Sequence, residues 1–313
     1  MASPSWIGSA LLKKTIGVVA AASHVCAADL FPVQPLGVER DNLNEAYARA
    51  VEAQPDHKAQ LATRRTAFLA FAAQVCKGPD VRREPCLGRL YNNQAAAFDI
   101  PMRTAGAYRI RPVQAFGRVG GKPYSLNLIE LSRQDGKPDP QLVAFNQAIR
   151  AAALKLVIQR GDVDVFNDVN ARVAAAGGGL VSARISTTRI GFQTGEETKA
   201  SDSSCQVSFA WLLSMRRRMA LSDLFDDPDR ALVELKPVIK AIAKAPEGRF
   251  TDADFADPTR WTFGETEVSF LQPTVDCYSD PDQEVKAPLS VVRPRLRKAG
   301  PVDFSALVDV RYD

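Results

Sequence analysis

Histidine is almost missing from this chain: His24 and His57 are the only two in 313 residues. Ser-His-Asp and Cys-His catalysis both need such a base. His24 falls in a leader expected to be removed, which leaves His57 on the polar start of a helix. No Cys-x-x-Cys pair occurs either, so a zinc site lacks its usual ligand spacing and no metal is expected. No apolar run reaches the ~20 residues of a membrane-spanning helix. Charge of one sign is also scarce. Lys and Arg total 40 against 36 Asp and Glu, a formal net of +4, and loss of Lys13 and Lys14 with the leader would leave 38 against 36, a net of +2. So weak a bias predicts no nucleic-acid partner. Gly177-Gly178-Gly179 lacks the spacing of a phosphate cradle and precedes a strand instead of opening a helix, so no cofactor is expected. Asp223, Asp226 and Asp227 cluster before Pro228 and read as caps and turns, not as the facing carboxylates of a glycosidase. The chain is therefore expected not to be an enzyme.

Hydrophobic residues make up 46% of the chain and charged residues 24%, enough to bury an ordinary core. Residues 1–28 read as a signal peptide. Lys13-Lys14 forms the charged start, an uncharged apolar run follows to Cys26, and Ala27 and Ala28 supply the small residues of a cleavage site. The alternative is an uncleaved N-terminal anchor. Val25 before Cys26 argues against lipidation. With the leader removed, no transmembrane anchor is expected, and the chain is placed in the periplasm or secreted.

Four cysteines then remain: Cys76, Cys86, Cys205 and Cys277. An even number in an exported chain reads as two disulfides. Three pairings are open, and neighbours in sequence favour Cys76–Cys86 and Cys205–Cys277. In the chain-entropy picture the short loop contributes about 3 kcal/mol and the long one about 4.

Residues 29–40 carry Pro32, Pro35 and Gly37 and read as a linker. Asp41-Asn42 are good helix N-caps, and Leu43, Tyr47, Ala50 and Val51 follow at helical spacing. A second helix is expected over 57–75, with Leu61, Phe68, Phe71, Ala72 and Val75 as its apolar stripe and Arg64 and Arg65 on the other face. Lys77-Gly78-Pro79-Asp80 breaks it. Cys86 is expected to open a third helix, with Leu87, Leu90, Tyr91, Gln94 and Phe98 on one face. Residues 41–100 would thus form a small helical domain pinned by one disulfide. Such a unit buries little surface alone, so the bridge and a docking partner both matter.

The block Arg65-Thr66-Ala67-Phe68-Leu69-Ala70-Phe71-Ala72-Ala73-Gln74-Val75-Cys76, then Cys86-Leu87 and Leu90-Tyr91-Asn92-Asn93-Gln94, resembles the helical domain of LprI-type lysozyme inhibitors. Asn92-Asn93 stands where that family usually has an Arg, and Phe71 where a Trp is expected.

Beyond residue 100 the pattern changes. Tyr108, Ile110, Val113 and Phe116 suggest a strand, 117–123 a turn, and Leu126, Leu128, Ile129 and Leu131 a second strand. Leu142, Phe145, Ile149, Ala152 and Leu156 mark a helix. Asp162 is expected to cap another, with Val165, Phe166, Val169 and Val173 inside it and Gly177-Gly178-Gly179 ending it. Val181, Ala183, Ile185 and Thr187 alternate as a half-buried strand. Residues 195–204 read as an exposed hairpin loop, and Val207 to Leu213 is the clearest strand. Arg216-Arg217-Arg218 reads as a solvated hairpin tip. A helix follows with Leu232, Leu235, Val238, Ile239 and Ile242. Strand character resumes at Trp261, Phe263, Val268 and Phe270, then at Pro288 to Val292 and Leu307 to Val310. The order defines an α+β domain over 105–313 with a mainly antiparallel sheet packed by helices.

Three segments of this region are similar to the extracytoplasmic domain found in the lysozyme-responsive anti-sigma factor RsiV and in peptidoglycan deacetylases such as PdaC. They are the Phe145–Ile149 helix, Leu221-Ser222-Asp223-Leu224-Phe225 with its helix, and Val268-Ser269-Phe270 with Tyr278 and Ala287-Pro288-Leu289-Ser290-Val291. Arg216-Arg217-Arg218 stands where a Thr-Gly is usual, and Cys205 and Cys277 are additions. Neither resembling domain is catalytic, and both occur in a lysozyme or peptidoglycan setting. The resemblances imply an envelope binding protein whose partner is a lysozyme-like muramidase, with peptidoglycan as the alternative. A cationic loop suits the carboxylate-bearing cleft of such an enzyme. Lys77, Arg82 and Arg83, inside the expected 76–86 disulfide ring, are the first candidate contact residues. Lys122, Tyr124 and Ser125, after the Gly120-Gly121 turn, are the second.

Overall fold

The computed structural model describes residues 37–77, 80–157, 165–191, 204–243, 252–271 and 284–310. The expected leader, most of the expected linker, Cys277 and residues 195–203 lie outside them. The fold is α+β. Helices α1 (Gly37–Ala53), α2 (Lys58–Val75) and α3 (Asp80–Phe98) come first. An eight-stranded sheet follows in the order β1 (Arg103–Ala105), β2 (Tyr108–Val119), β3 (Lys122–Arg133), β4 (Val165–Gly177), β5 (Leu180–Gly191), β6 (Ser204–Leu212), β7 (Arg217–Arg218), with β11 (Val308–Asp309) paired to β4. Among the described residues only β3 and β4 pair in parallel. The helix α4 (Pro140–Lys155) makes that crossover. It starts where Asp139 accepts the Gln141 amide at 2.8 Å, with Pro140 at its first position, an N-cap followed by a residue that needs no donor.

A second sheet of three antiparallel strands runs β8 (Trp261–Phe263), β9 (Glu267–Leu271), β10 (Glu284–Pro288). Around it lie the short helix α5 (Leu221–Leu224), α6 (Pro228–Ala243), α7 (Asp252–Ala256) and α8 (Leu289–Val292). Among the described residues no helix is long and apolar enough to cross a membrane.

Several expectations change. Helix α1 begins at Gly37, inside the expected linker. Cys86 lies well inside α3, which opens at Asp80 and carries Pro85 in its second turn. The helix expected after Asp162 is the strand β4. Phe166, Val169 and Val173 sit three and four apart and imitate a helical stripe. The deciding pattern is Val169, Ala171 and Val173, which alternate and are all buried, as a strand requires. Gly177-Gly178-Gly179 therefore belongs to a hairpin in which Gly177 pairs with Leu180. Gly178 and Gly179 have φ of 54° and 84°, the two positive values of a tight turn matched to strand twist. A Cβ at Gly178 would collide with the Asp303 carbonyl. The strand expected over 288–292 stops at Pro288 and becomes α8, since Pro has no amide to continue the ladder.

Cys76 and Cys86 are bonded to each other, joining the end of α2 to α3. Cys205 is also in a disulfide; the partner expected for it, Cys277, lies outside the described residues.

Among the described residues three buried clusters hold the fold. One joins α4 to the large sheet through Phe145, Ile149, Val169, Ala183, Ile185 and Phe209. Another joins the small sheet to the far end of the large one through Leu212, Phe225, Leu235, Trp261, Phe263 and Phe270. A third lies within α1–α3 and ends on Phe166 of β4, with Phe116 of β2 packed against it.

Candidate functional site: the polar face of the large sheet

Paired residues in a sheet share a face, and faces alternate along each strand. The register aligns Gln114 with Asn127, Asn127 with Asn170, and Ser125 with Asp168. It continues through Arg172 opposite Arg184 and Arg184 opposite Ser208. One face of the large sheet thus carries a continuous row of polar side chains. The other carries Val169, Ala171, Val173, Ala183 and Ile185 under α4. A β-bulge between Val173 and Ala175 swaps the two faces near the end of β4, so Ala175 joins the small-sheet cluster and Ala176 the α4 cluster.

At one end the row is closed by the helices. Phe68 and Phe71 of α2 stack on Phe116 at 5.9 and 5.1 Å. Beside them Arg64 donates to Gln114 and, at 2.7 Å, to the Ala97 carbonyl, while its guanidinium lies 4.4 Å from the centre of the Phe98 ring. Gln94 and Gln114 exchange amide hydrogen bonds at 2.7 and 3.0 Å. Gln114 donates to Asn127, and Asn127 to Asp168 at 2.8 Å. Asp168 also accepts from Ser125, and from Asn170 at 2.9 Å. Burial pushes the Asp168 carboxyl up, against the three donors that favour its charged form. Burial lowers the Arg64 guanidinium to about 10. Expected on the outer face of its helix, Arg64 lies instead between helix and sheet, and its partners, Gln114 on β2 and the Ala97 carbonyl on α3, are what make that position tenable.

At the other end the row is closed by the small sheet. Ser182 accepts the Phe263 amide at 2.8 Å, and the Ser208 and Thr262 hydroxyls lie 2.5 Å apart. Arg184 grips Glu284 with both terminal nitrogens, one bond being 2.7 Å. Burial pushes the Glu284 carboxyl up, but hydrogen bonds from Arg184 and Ser269 and the nearby cations outweigh it, and the net direction is down. Lys286 donates to Glu267 at 2.9 Å, which holds its ammonium above the usual lysine value.

Between the large sheet and the small one lies an open cleft of about 410 Å³. Arg172, Arg184, Thr262, Glu267, Lys286 and Asp309 line it. This is within the range of about 300–1,000 Å³ typical of small-ligand sites. Among the described residues no group of three or more His, Cys, Asp or Glu could hold a metal ion.

The residues expected to make contacts are not brought together. Lys77 is exposed and Arg83 half-buried, next to the bonded Cys76 and Cys86. The side chain of Arg82 lies outside the described residues. The expected loop at 76–86 is mostly the first two turns of α3. Lys122 is half-buried in β3, and Tyr124 packs across β2 onto Gly117, where a Cβ would meet its hydroxyl at 2.5 Å. Ser125 is buried and committed to Asp168. Arg217 of the arginine run clamps Asp223 at 2.6 and 2.8 Å, and Arg218 lies over Phe209 at 5.0 Å. The cleft residues escape sequence reasoning because they come from six strands of two sheets. The one local signal is polar residues alternating with Val and Ala at 168–173 and 182–186.

No family model and no curated protein sequence matches the chain. Among solved structures it is similar to a member of the DUF3298 family from Bacteroides fragilis NCTC 9343, at 13% identity and a TM-score of 0.38, over 63% of this chain and 96% of that one. It is also similar to a DUF3298 family protein from Pseudomonas aeruginosa PAO1, at 16% identity and a TM-score of 0.34, over the same shares. Likeness at this level says nothing of ligand or partner.

Proposed function

We propose that the chain is an exported, non-catalytic binding protein of the cell envelope that recognises a lysozyme-like muramidase. The leader-like start of the sequence and the Cys76–Cys86 disulfide support an oxidising compartment outside the cytoplasm. One observation carries the muramidase reading. The disulfide pins α2 to α3 at a corner that presents Lys77 and Arg83. A cation held on a rigid corner loses little freedom on meeting a carboxylate cleft. Muramidase turnover measured with the purified protein added should fall, and the K77E/R83E double variant should relieve the inhibition. Full turnover together with no complex on gel filtration sinks this reading.

A second reading, peptidoglycan as the ligand, is favoured by a different observation: the cleft between the two sheets. Co-sedimentation with purified cell wall, undiminished by K77E/R83E, would select it.

A further inference from the structure

The cleft is walled by groups that already answer one another. Arg184 holds Glu284, and Lys286 holds Glu267. Asp309 accepts the Glu265 amide at 2.7 Å, and Arg172 completes the wall. With the Glu284 that Arg184 holds counted beside the lining, three cations stand with three carboxylates. A ligand of net charge gains little there, because attraction to one set is offset by repulsion from the other. What the wall offers is hydrogen bonding. Each carboxylate keeps lone pairs beyond its ion pair, and the guanidinium and ammonium groups keep further N–H donors. Both kinds stand at fixed spacing, because Arg184 is on the large sheet and Glu284 and Lys286 are on the small one. A hydroxyl is donor and acceptor at once, so a ligand rich in hydroxyls can use both without carrying charge.

We infer that this cleft binds a short neutral glycan of about two sugar rings, a size suited to a pocket of this scale, with its hydroxyls taken by Arg184, Lys286, Glu267 and Asp309. The inference rests on the peptidoglycan reading and names the part of the wall polymer that is recognised: the uncharged sugar backbone, not its acidic or basic substituents.

The test uses the purified mature protein and three disaccharide probes followed by calorimetry. These are di-N-acetylchitobiose, which is neutral; its de-N-acetylated form, which is cationic; and N-acetylglucosaminyl-N-acetylmuramic acid, which carries a free carboxylate. The neutral probe should bind at least about tenfold more tightly than either charged one, a difference readily resolved as affinity. Arg184→Lys keeps the charge but loses the two-pronged grip, and Lys286→Met removes a surface ammonium. Each should weaken the neutral probe by about tenfold or more, with the thermal midpoint recorded for both so that a folding defect in one leaves the other to decide. Tighter binding of a charged probe overturns the inference, as does equal binding by wild type and both variants. If purified wall sediments the protein but the neutral probe does not bind, the inference fails and the peptidoglycan reading stands. If neither binds, both fail.

Discussion

The two faces of the large sheet are built on opposite principles. Under α4 the face is apolar: Phe209 stacks on Trp211 at 5.7 Å and meets Phe145 at 6.0 Å. The reverse face is a row of amides, hydroxyls, carboxylates and guanidinia, yet it is not left to water. The helical unit covers one end of it and the small sheet the other. Each closes its end by pairing polar groups as well as by stacking rings. An antiparallel sheet with one polar face usually turns that face to solvent. Here the polar face is where further units dock, and the cleft lies where the small sheet meets it.

Four measurements sharpen or break this contrast. On the apolar face, Phe209→Ala should cost about 3–5 kcal/mol, as ring deletions in packed cores do, read from the urea midpoint. On the polar face, Asp168→Ala should cost about 1–3 kcal/mol, because the donors of Ser125, Asn127 and Asn170 are stranded in a dry seam. A cost near zero would mean the seam is wet and only a solvent face after all. Gly178→Ala should cost about 1–3 kcal/mol, the scale of a strained backbone position. It tests whether the hairpin that carries both faces must accept the 301–310 segment against it, and an unchanged midpoint would remove that segment from the account.

The smallest effect is in pH. The Asp168 carboxyl is raised by burial, so its contribution is fully present below the ordinary Asp range and is lost as pH rises through the raised value. The Glu284 carboxyl is lowered, so its contribution is present above the ordinary Glu range and is lost as pH falls through the lowered value. Urea midpoints of Asp168→Asn and Glu284→Gln, followed from about pH 3 to about pH 8 across the ordinary carboxylate titration near ~4, should therefore flatten opposite limbs of the wild-type profile. Flattening of the same limb by both would break the distinction between the closed seam and the open cleft.

Much of the architecture is legible in the sequence. The apolar period at 142–156, the β6 run at 207–213, and Cys76 and Cys86 ten residues apart all point where the structure puts them. Strand β4 reads as a helix because three of its apolar residues happen to fall at helical spacing, and only pairing with β3 and β5 resolves the ambiguity. The seam is illegible for a related reason. Arg64 and Asp168 look like surface residues one at a time, and each is tolerable inside only because partners from other strands and helices satisfy it.

The sequence by itself determined the α+β class, the β6 run and the cysteine framework at 76–86, because each depends on local period, local turn chemistry or short chain separation. The tertiary structure alone decided that the polar face is covered at both ends and that Arg184 meets Glu284 a hundred residues away. The reason is physical. Hydrophobic alternation says which side chains must leave water, whereas a buried polar group can be placed only once its partner is known, and partners here come from distant parts of the chain.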